Sequence, residues 1–225
     1  MIHKLLQILS PVLQTLLKRY LRKPRPYGYK DLDIIVNPGV FYPRFVFSTK
    51  LFLDFLDERD LSGKKFLELG AGCGIVSLLA ARKGAIVTAS DINPGAIANI
   101  KQNALRNHLE LNIIQSDLFK NIQEKDFDLI VIAPPYYPKD PKDFSEMAWF
   151  CGKDFDYFKS LFPKLTPFAS SSREILMILS EDCNIEKIKE IAGKSGFEFL
   201  LQKQVKRVGE WNYIFRIMGS DRVTK

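Results

Sequence analysis

Three short stretches hold residue types whose order could do chemistry. In Glu68-Leu69-Gly70-Ala71-Gly72-Cys73-Gly74, three glycines sit between a short apolar run, Lys64–Leu69, and Ile75–Lys83, whose apolar residues recur at helical spacing. A strand that turns directly into a helix needs residues tolerating positive φ, and backbone that meets a ligand closely cannot carry side chains. Gly70, Gly72 and Gly74 meet both needs. Their spacing is G-x-G-x-G, with Ile75 where a dinucleotide fold puts its third glycine, so a pyrophosphate ligand is disfavoured.

Seventeen positions past Gly74, the strand Ala85–Ser90 ends in Asp91-Ile92, and a carboxylate at that tip can accept from two ribose hydroxyls. Asn93 and Pro94 read as the N-cap and first position of the next helix, which gives Asp91 a capping alternative. A third strand, Leu111–Gln115, runs into Ser116-Asp117-Leu118, where Asp117 is placed to accept from an adenine amino group or to serve only as a turn residue. A fourth, Phe127–Ile132, enters Ala133-Pro134-Pro135-Tyr136, a turn its two prolines stiffen or a plain strand end. In an open parallel sheet the ligand lies outside the carboxyl ends of the strands, where all of these elements fall.

From about Phe41 to Tyr137 the ordered set resembles the class I S-adenosylmethionine-dependent methyltransferases. Within them it is similar to the small-domain group that includes the HemK-like protein-glutamine, ribosomal RNA guanine and adenine-amine methyltransferases. The resemblance implies S-adenosylmethionine as cofactor, held by Glu68, Gly70, Gly72 and Gly74, by Asp91 and Ile92 at the ribose, and by Asp117 and Leu118 beside the adenine. It implies a catalytic turn at Ala133, Pro134, Pro135 and Tyr136, which matches (Asn/Asp/Ser)-Pro-Pro-(Tyr/Phe), and an acceptor pocket bordered by Phe41, Tyr42, Arg44 and Tyr137. For Phe41, Tyr42 and Arg44, closing the core is the competing role.

Ala133 departs from the pattern, which commonly has Asn there, accepting from the group to be methylated. Losing one buried hydrogen bond costs about 1 to 3 kcal/mol, which slows a reaction without forbidding it. The function implied is methyl transfer to a nitrogen of a protein side chain or RNA base. A methyltransferase acting on a small molecule and a non-catalytic module that binds cofactor or a partner are the alternatives. A nicotinamide oxidoreductase is disfavoured, because the phosphate turn and any Tyr-x-x-x-Lys pair are absent.

The elements that must position these residues are those of an α/β chain. Further helices are expected over Lys50–Glu58, capped by Ser48 or Thr49, over Asp154–Leu165 and over Asn184–Lys194, with a strand at Glu174–Leu179. Phe197–Arg207 and Trp211–Met218 read as an antiparallel pair at the sheet edge. The expected fold is therefore a Rossmann-like, doubly wound, seven-stranded methyltransferase sheet, mostly parallel with an antiparallel C-terminal edge pair. His108 falls at a helix C-terminus and is given no chemistry.

At 225 residues and 46% hydrophobic content, the chain can bury a sizeable single core. Cys73, Cys151 and Cys183 lack metal or disulfide spacing, so no metal is expected and a reducing cytoplasm is the natural compartment. The net charge of +7 belongs to residues 1–30, which hold Lys4, Lys18, Arg19, Arg22, Lys23, Arg25 and Lys30 and no acid; the other 26 basic and 26 acidic residues cancel. The chain thus divides into a basic amphipathic arm, 1–30, and a methyltransferase domain, 31–225. Leu5, Leu9, Val12, Leu13, Leu16 and Leu17 recur at helical spacing in the arm, which could dock on RNA, an acidic protein or an anionic membrane surface, or pack on its own domain. Its uncharged run of 13 residues, Leu5 to Leu17, is too short to span a bilayer, and no cleavage site of signal-peptide type follows.

Overall fold

The computed structural model describes residues 19–170, 173–207 and 209–219. A hairpin of β1 (Arg25–Tyr29) and β2 (Leu32–Val36) leads through a 3-10 turn, Pro43–Phe45, into α1 (Phe47–Asp57). β3 (Lys65–Leu69), α2 (Ile75–Arg82), β4 (Ile86–Asp91), α3 (Pro94–Arg106), β5 (Asn112–Gln115) and β6 (Leu129–Ile132) follow. A short α4 (Phe144–Met147), then α5 (Asp156–Leu165), β7 (Glu174–Ser180), α6 (Ile185–Gly193), β8 (Phe197–Arg207) and β9 (Glu210–Gly219) complete the order.

The seven-stranded sheet runs β5-β4-β3-β6-β7-β9-β8. Its first five strands are parallel, and β9 pairs antiparallel with both β7 and β8. β6 is buried at every position, and β3 and β7 at all but their first residue, because helices cover both faces. One face packs Phe52, Leu53 and Leu56 of α1 and Leu78 of α2 with the hairpin residues Leu32 and Ile34. The other buries Phe158, Leu161, Phe162 and Leu165 of α5 against Ile130, Met177 and Ile188. The expected sheet is therefore present, with its antiparallel pair at the C-terminal end.

Three expectations need correction. Helix α1 starts at Phe47 with Val46 at its N-cap and no side-chain cap, so neither Ser48 nor Thr49 caps it. The turn Pro43–Phe45, closed by Val46 N–H donating to the Pro43 carbonyl, feeds straight into the helix and sets its start. Helix α5 starts at Asp156, since Phe155 before it takes a left-handed φ of 61°. The division between residues 30 and 31 falls at the tip of the β1–β2 hairpin, both strands of which pack on the domain. Tyr29 is 8% exposed and its hydroxyl donates to Asp54 Oδ1 at 2.9 Å, so Arg25–Lys30 belongs with the body of the domain. The expected helix over Leu5–Leu17 lies outside the described residues. Among the described residues no helix is long and apolar enough to cross a membrane.

Candidate active site

A cavity of about 480 Å³ opens beyond the carboxyl ends of β3, β4 and β6, with the residues that follow β5 on its wall. Its floor is the glycine loop, where Gly70, Gly72 and Gly74 have φ of 77°, 55° and 84°. The loop is tied to the neighbouring strand, because the Gly70 and Ala71 amides both donate to the Ser90 carbonyl, at 2.9 and 2.8 Å. The three glycines differ in what surrounds them. A Cβ on Gly70 would meet no heavy atom within 4 Å, so this residue leaves open space at the cavity. A Cβ on Gly74 would lie 3.1 Å from Ile100, so that glycine permits close helix packing instead.

Two carboxyl groups brace the loop, Glu68 buried and Asp91 half-buried. Glu68 Oε2 accepts from the Ser77 amide at 2.8 Å and from the Ser77 hydroxyl, fastening the end of β3 to the first turn of α2. Burial dominates these bonds and pushes the Glu68 carboxyl up from 4.5 to about 8. Asp91 Oδ2 accepts from the Gly72 amide and Oδ1 from the Asn93 amide, each at 2.8 Å. Burial raises its pKa too, against the backbone hydrogen bonds that lower it. Asn93 is the actual cap of α3, accepting from Gly95 N–H at 2.8 Å. Asp91 therefore ties strand tip, loop and helix start together rather than capping the helix.

At the end of β6, Ala133 is exposed, Pro134 is buried, and Pro135 and Tyr136 are half-buried. Tyr136 hydrogen-bonds Ser180, and burial holds its hydroxyl well above the usual phenol range. Across the cavity lie Phe41 and Trp149, ring centroids 4.9 Å apart and tilted by 49°. The wall carries five acidic residues, Glu68, Asp91, Asp117, Asp140 and Asp156, and no Lys or Arg. No group of three His, Cys, Asp or Glu among the described residues could hold a metal ion.

Residues 31–149 match the family model described as the methyltransferase small domain. The chain belongs to that family. It is 40% identical over 100 residues to a putative protein N5-glutamine methyltransferase of Methanocaldococcus jannaschii, covering 42% of this chain and 50% of that protein. It is 34% identical over 116 residues to the ribosomal RNA small subunit methyltransferase C of Actinobacillus pleuropneumoniae, covering 50% of this chain and 35% of that protein. The chain thus spans half or less of the length of these relatives. The solved T. thermophilus 16S rRNA N2 G1207 methyltransferase, in complex with AdoMet and guanosine, shares the fold. Its TM-score is 0.59 at 20% identity, over 87% of this chain and 50% of that one.

In this member of the methyltransferase small domain family the cavity wall includes Glu68, Gly70, Gly72, Asp91, Ile92, Asp117 and Leu118. It also includes Ala133, Pro134, Pro135, Tyr136 and Phe41. Four expected site residues are not on it. Gly74 is buried under Ile100. Tyr42 is 4% exposed in the core and donates to the Pro26 carbonyl at 3.0 Å, fixing the hairpin. Arg44 is exposed on the 3-10 turn. Tyr137 lies behind the wall residue Tyr136, ring centroids 4.8 Å apart, and its hydroxyl reaches Asp182 Oδ2 at 3.4 Å. Its backbone still matters: the amide donates to the Trp149 carbonyl at 3.1 Å, and its carbonyl accepts from Cys151 N–H at 2.9 Å. That pairing brings Trp149 to the wall.

Sequence reading misses Trp149, Phe150 and Tyr157, all on the cavity wall. Burial, with Asp91 and Asp117 adding, pushes the Tyr157 hydroxyl above its ordinary value. No short-range signal marks these residues. They reach the cavity only because the segment after β6 folds back over it.

Proposed function

We propose that the chain is an S-adenosylmethionine-dependent methyltransferase acting on a nitrogen of a protein side chain or an RNA base. The observation that carries this reading is the convergence of the glycine loop, Asp91, Asp117 and the Ala133–Tyr136 turn on one cavity. The residues present fit the cofactor: Gly70 leaves room for it, and the described wall residues include no Lys or Arg to repel a sulfonium cation. The names of the two relatives support a protein or RNA acceptor.

When bound, the cofactor supplies an electrophilic methyl group. Each Asp91 oxygen accepts one backbone hydrogen bond and keeps a lone-pair site for a ribose hydroxyl. Asp117 and Leu118, on the wall past β5, would hold the adenine. The Pro134 carbonyl takes an N–H of the acceptor, and Tyr136 lies beside its flat face. Phe41 and Trp149 exclude water from the acceptor side and hold the nucleophile in line. With Ala133 supplying no side-chain acceptor, an amine with a free lone pair is better served than a carboxamide that needs both hydrogens held. The basic residues Lys4, Lys18, Arg19, Arg22 and Lys23 are assigned to attracting an RNA or acidic protein acceptor.

The test is transfer of a radiolabelled methyl group into cell lysate separated into protein, RNA and small-molecule fractions. Label in protein or RNA supports the reading. Label in small molecules alone redirects it, and label in none leaves a non-catalytic binding module.

A further inference from the structure

Helix α3 and its C-cap carry asparagine four residues apart, Asn99, Asn103 and the cap Asn107, and none of the three is more than 7% exposed. Buried carboxamides are costly unless paired, and these pair with one edge of β2 and its extension. Asn107 Oδ1 accepts from Asp33 N–H at 3.1 Å and its Nδ2 donates to the Asp33 carbonyl at 2.9 Å. Asn103 Oδ1 accepts from Ile35 N–H at 3.0 Å and its Nδ2 donates to the Ile35 carbonyl at 3.0 Å. Asn99 Oδ1 accepts from Asn37 N–H at 3.1 Å, and its Nδ2 donates to the Ile35 carbonyl at 2.7 Å.

The geometry explains the spacing. Four residues of helix rise about 6.0 Å and two residues of strand about 6.6 Å, so side chains four apart meet alternate strand residues. Alternate residues of a strand present their N–H and C=O to the same edge. The three carboxamides thus stand in for a third strand beside β2, running opposite to it. A shift of the hairpin by one residue would present the other edge and leave three buried carboxamides unpaired, so the ladder fixes register.

Two features carry that register into the cavity. Asn103 Nδ2 also donates to the Cys73 carbonyl at 3.0 Å, inside the glycine loop. Four residues beyond Asn37, Phe41 lies on Gly72, at 3.7 Å from where a Cβ would stand, and against Trp149. The intervening strap is pinned by Val40 N–H to the Asn37 carbonyl at 3.2 Å and by Asn93 Nδ2 to the Gly39 carbonyl at 3.1 Å.

We propose that Asn99 and Asn103 are positioning residues: through β2 and the strap they set Phe41 against Trp149, and Asn103 joins that aromatic wall to the glycine loop so that the two ends of the cavity respond together. The link to cofactor rests on the methyltransferase reading; the link from ladder to wall does not.

The test uses the full chain carrying Trp211→Phe, which leaves Trp149 as the one tryptophan of the two. Acrylamide quenching of Trp149 is measured without ligand, and its emission and binding heat during titration with S-adenosylhomocysteine. Asn99→Ala and Asn103→Ala are expected to raise the quenching constant about twofold or more and to abolish the emission change at saturation. Asn103→Ala alone is expected to weaken binding by about fivefold, the lower end of ordinary coupling between sites. Asn107→Ala, at the far end of the ladder, is expected to lower the melting temperature without moving either signal. If Asn103→Ala does not fold, Asn99→Ala and Asn99→Ser carry the test, since Asn99 does not touch the glycine loop. Quenching in Asn99→Ala equal to the parent, at a melting temperature lowered like that of Asn107→Ala, overturns the proposal and leaves the ladder purely structural. No binding of S-adenosylhomocysteine by the parent sinks the cofactor reading instead, while quenching still decides the ladder.

Discussion

The two ends of the cavity are built on different principles. At the glycine loop, the polar groups are fixed by the neighbouring strand end and the first turn of α2, with one tie from α3: Gly70 and Ala71 on Ser90, Gly72 on Asp91, Glu68 on Ser77, and the Cys73 carbonyl on Asn103. At the acceptor end, the wall is made by side chains from distant segments, Phe41 against Trp149, and held by the Asn ladder and the Tyr137 backbone. The first end is a backbone device that tolerates one chemistry. The second is a side-chain device built from separate segments, and Ala133 stands there where the resemblance implies Asn.

The sharpest break is expected at Asp91. Asp91→Ala removes the acceptor proposed for two ribose hydroxyls and the brace on Gly72, and should weaken cofactor binding by about 100-fold or more in calorimetry, at about 1.5 to 3 kcal/mol per charged hydrogen bond. Gly74→Ala should act on stability instead. Its φ of 84° and the 3.1 Å approach to Ile100 predict a loss of about 1 to 3 kcal/mol in denaturant unfolding. Trp149→Ala should separate the two ends, slowing methyl transfer by about tenfold while cofactor affinity stays within about twofold. Equal losses in both measurements would erase the distinction.

A pH dependence is expected as well. Glu68 has a folded pKa of about 8 against an ordinary 4.5, so between those values the folded state holds more protons than the unfolded one. Stability from this group is therefore full below pH 4.5 and is lost as pH rises toward about 8. Glu68→Gln should flatten that decline in a series of melting curves. A wild-type slope unchanged by the substitution would assign the dependence to another group, with Asp91, also raised, as the first to replace.

The sheet and its ligand-facing tips were legible because their signals are local: glycines between apolar runs, an acid at a strand end, paired prolines. Tyr42 and Tyr137 misled because only one residue of each adjacent aromatic pair lines the cavity, and spacing alone does not say which of Phe41–Tyr42 or Tyr136–Tyr137 does so. Trp149 and Tyr157 had no local signal, since a proline-punctuated loop carries them back over the site. The Asn ladder did have one. Three asparagines four apart on an apolar-patterned helix are a poor choice for a helix interior unless each meets a backbone partner.

A crystal structure of the chain with S-adenosylhomocysteine tests the central claim most directly. The account predicts the ribose on Asp91, the adenine between Ile92 and Leu118, and the sulfur facing the Pro134 carbonyl across from Phe41 and Trp149. A ligand bound away from Asp91, or a cavity left empty at saturating ligand, would contradict it.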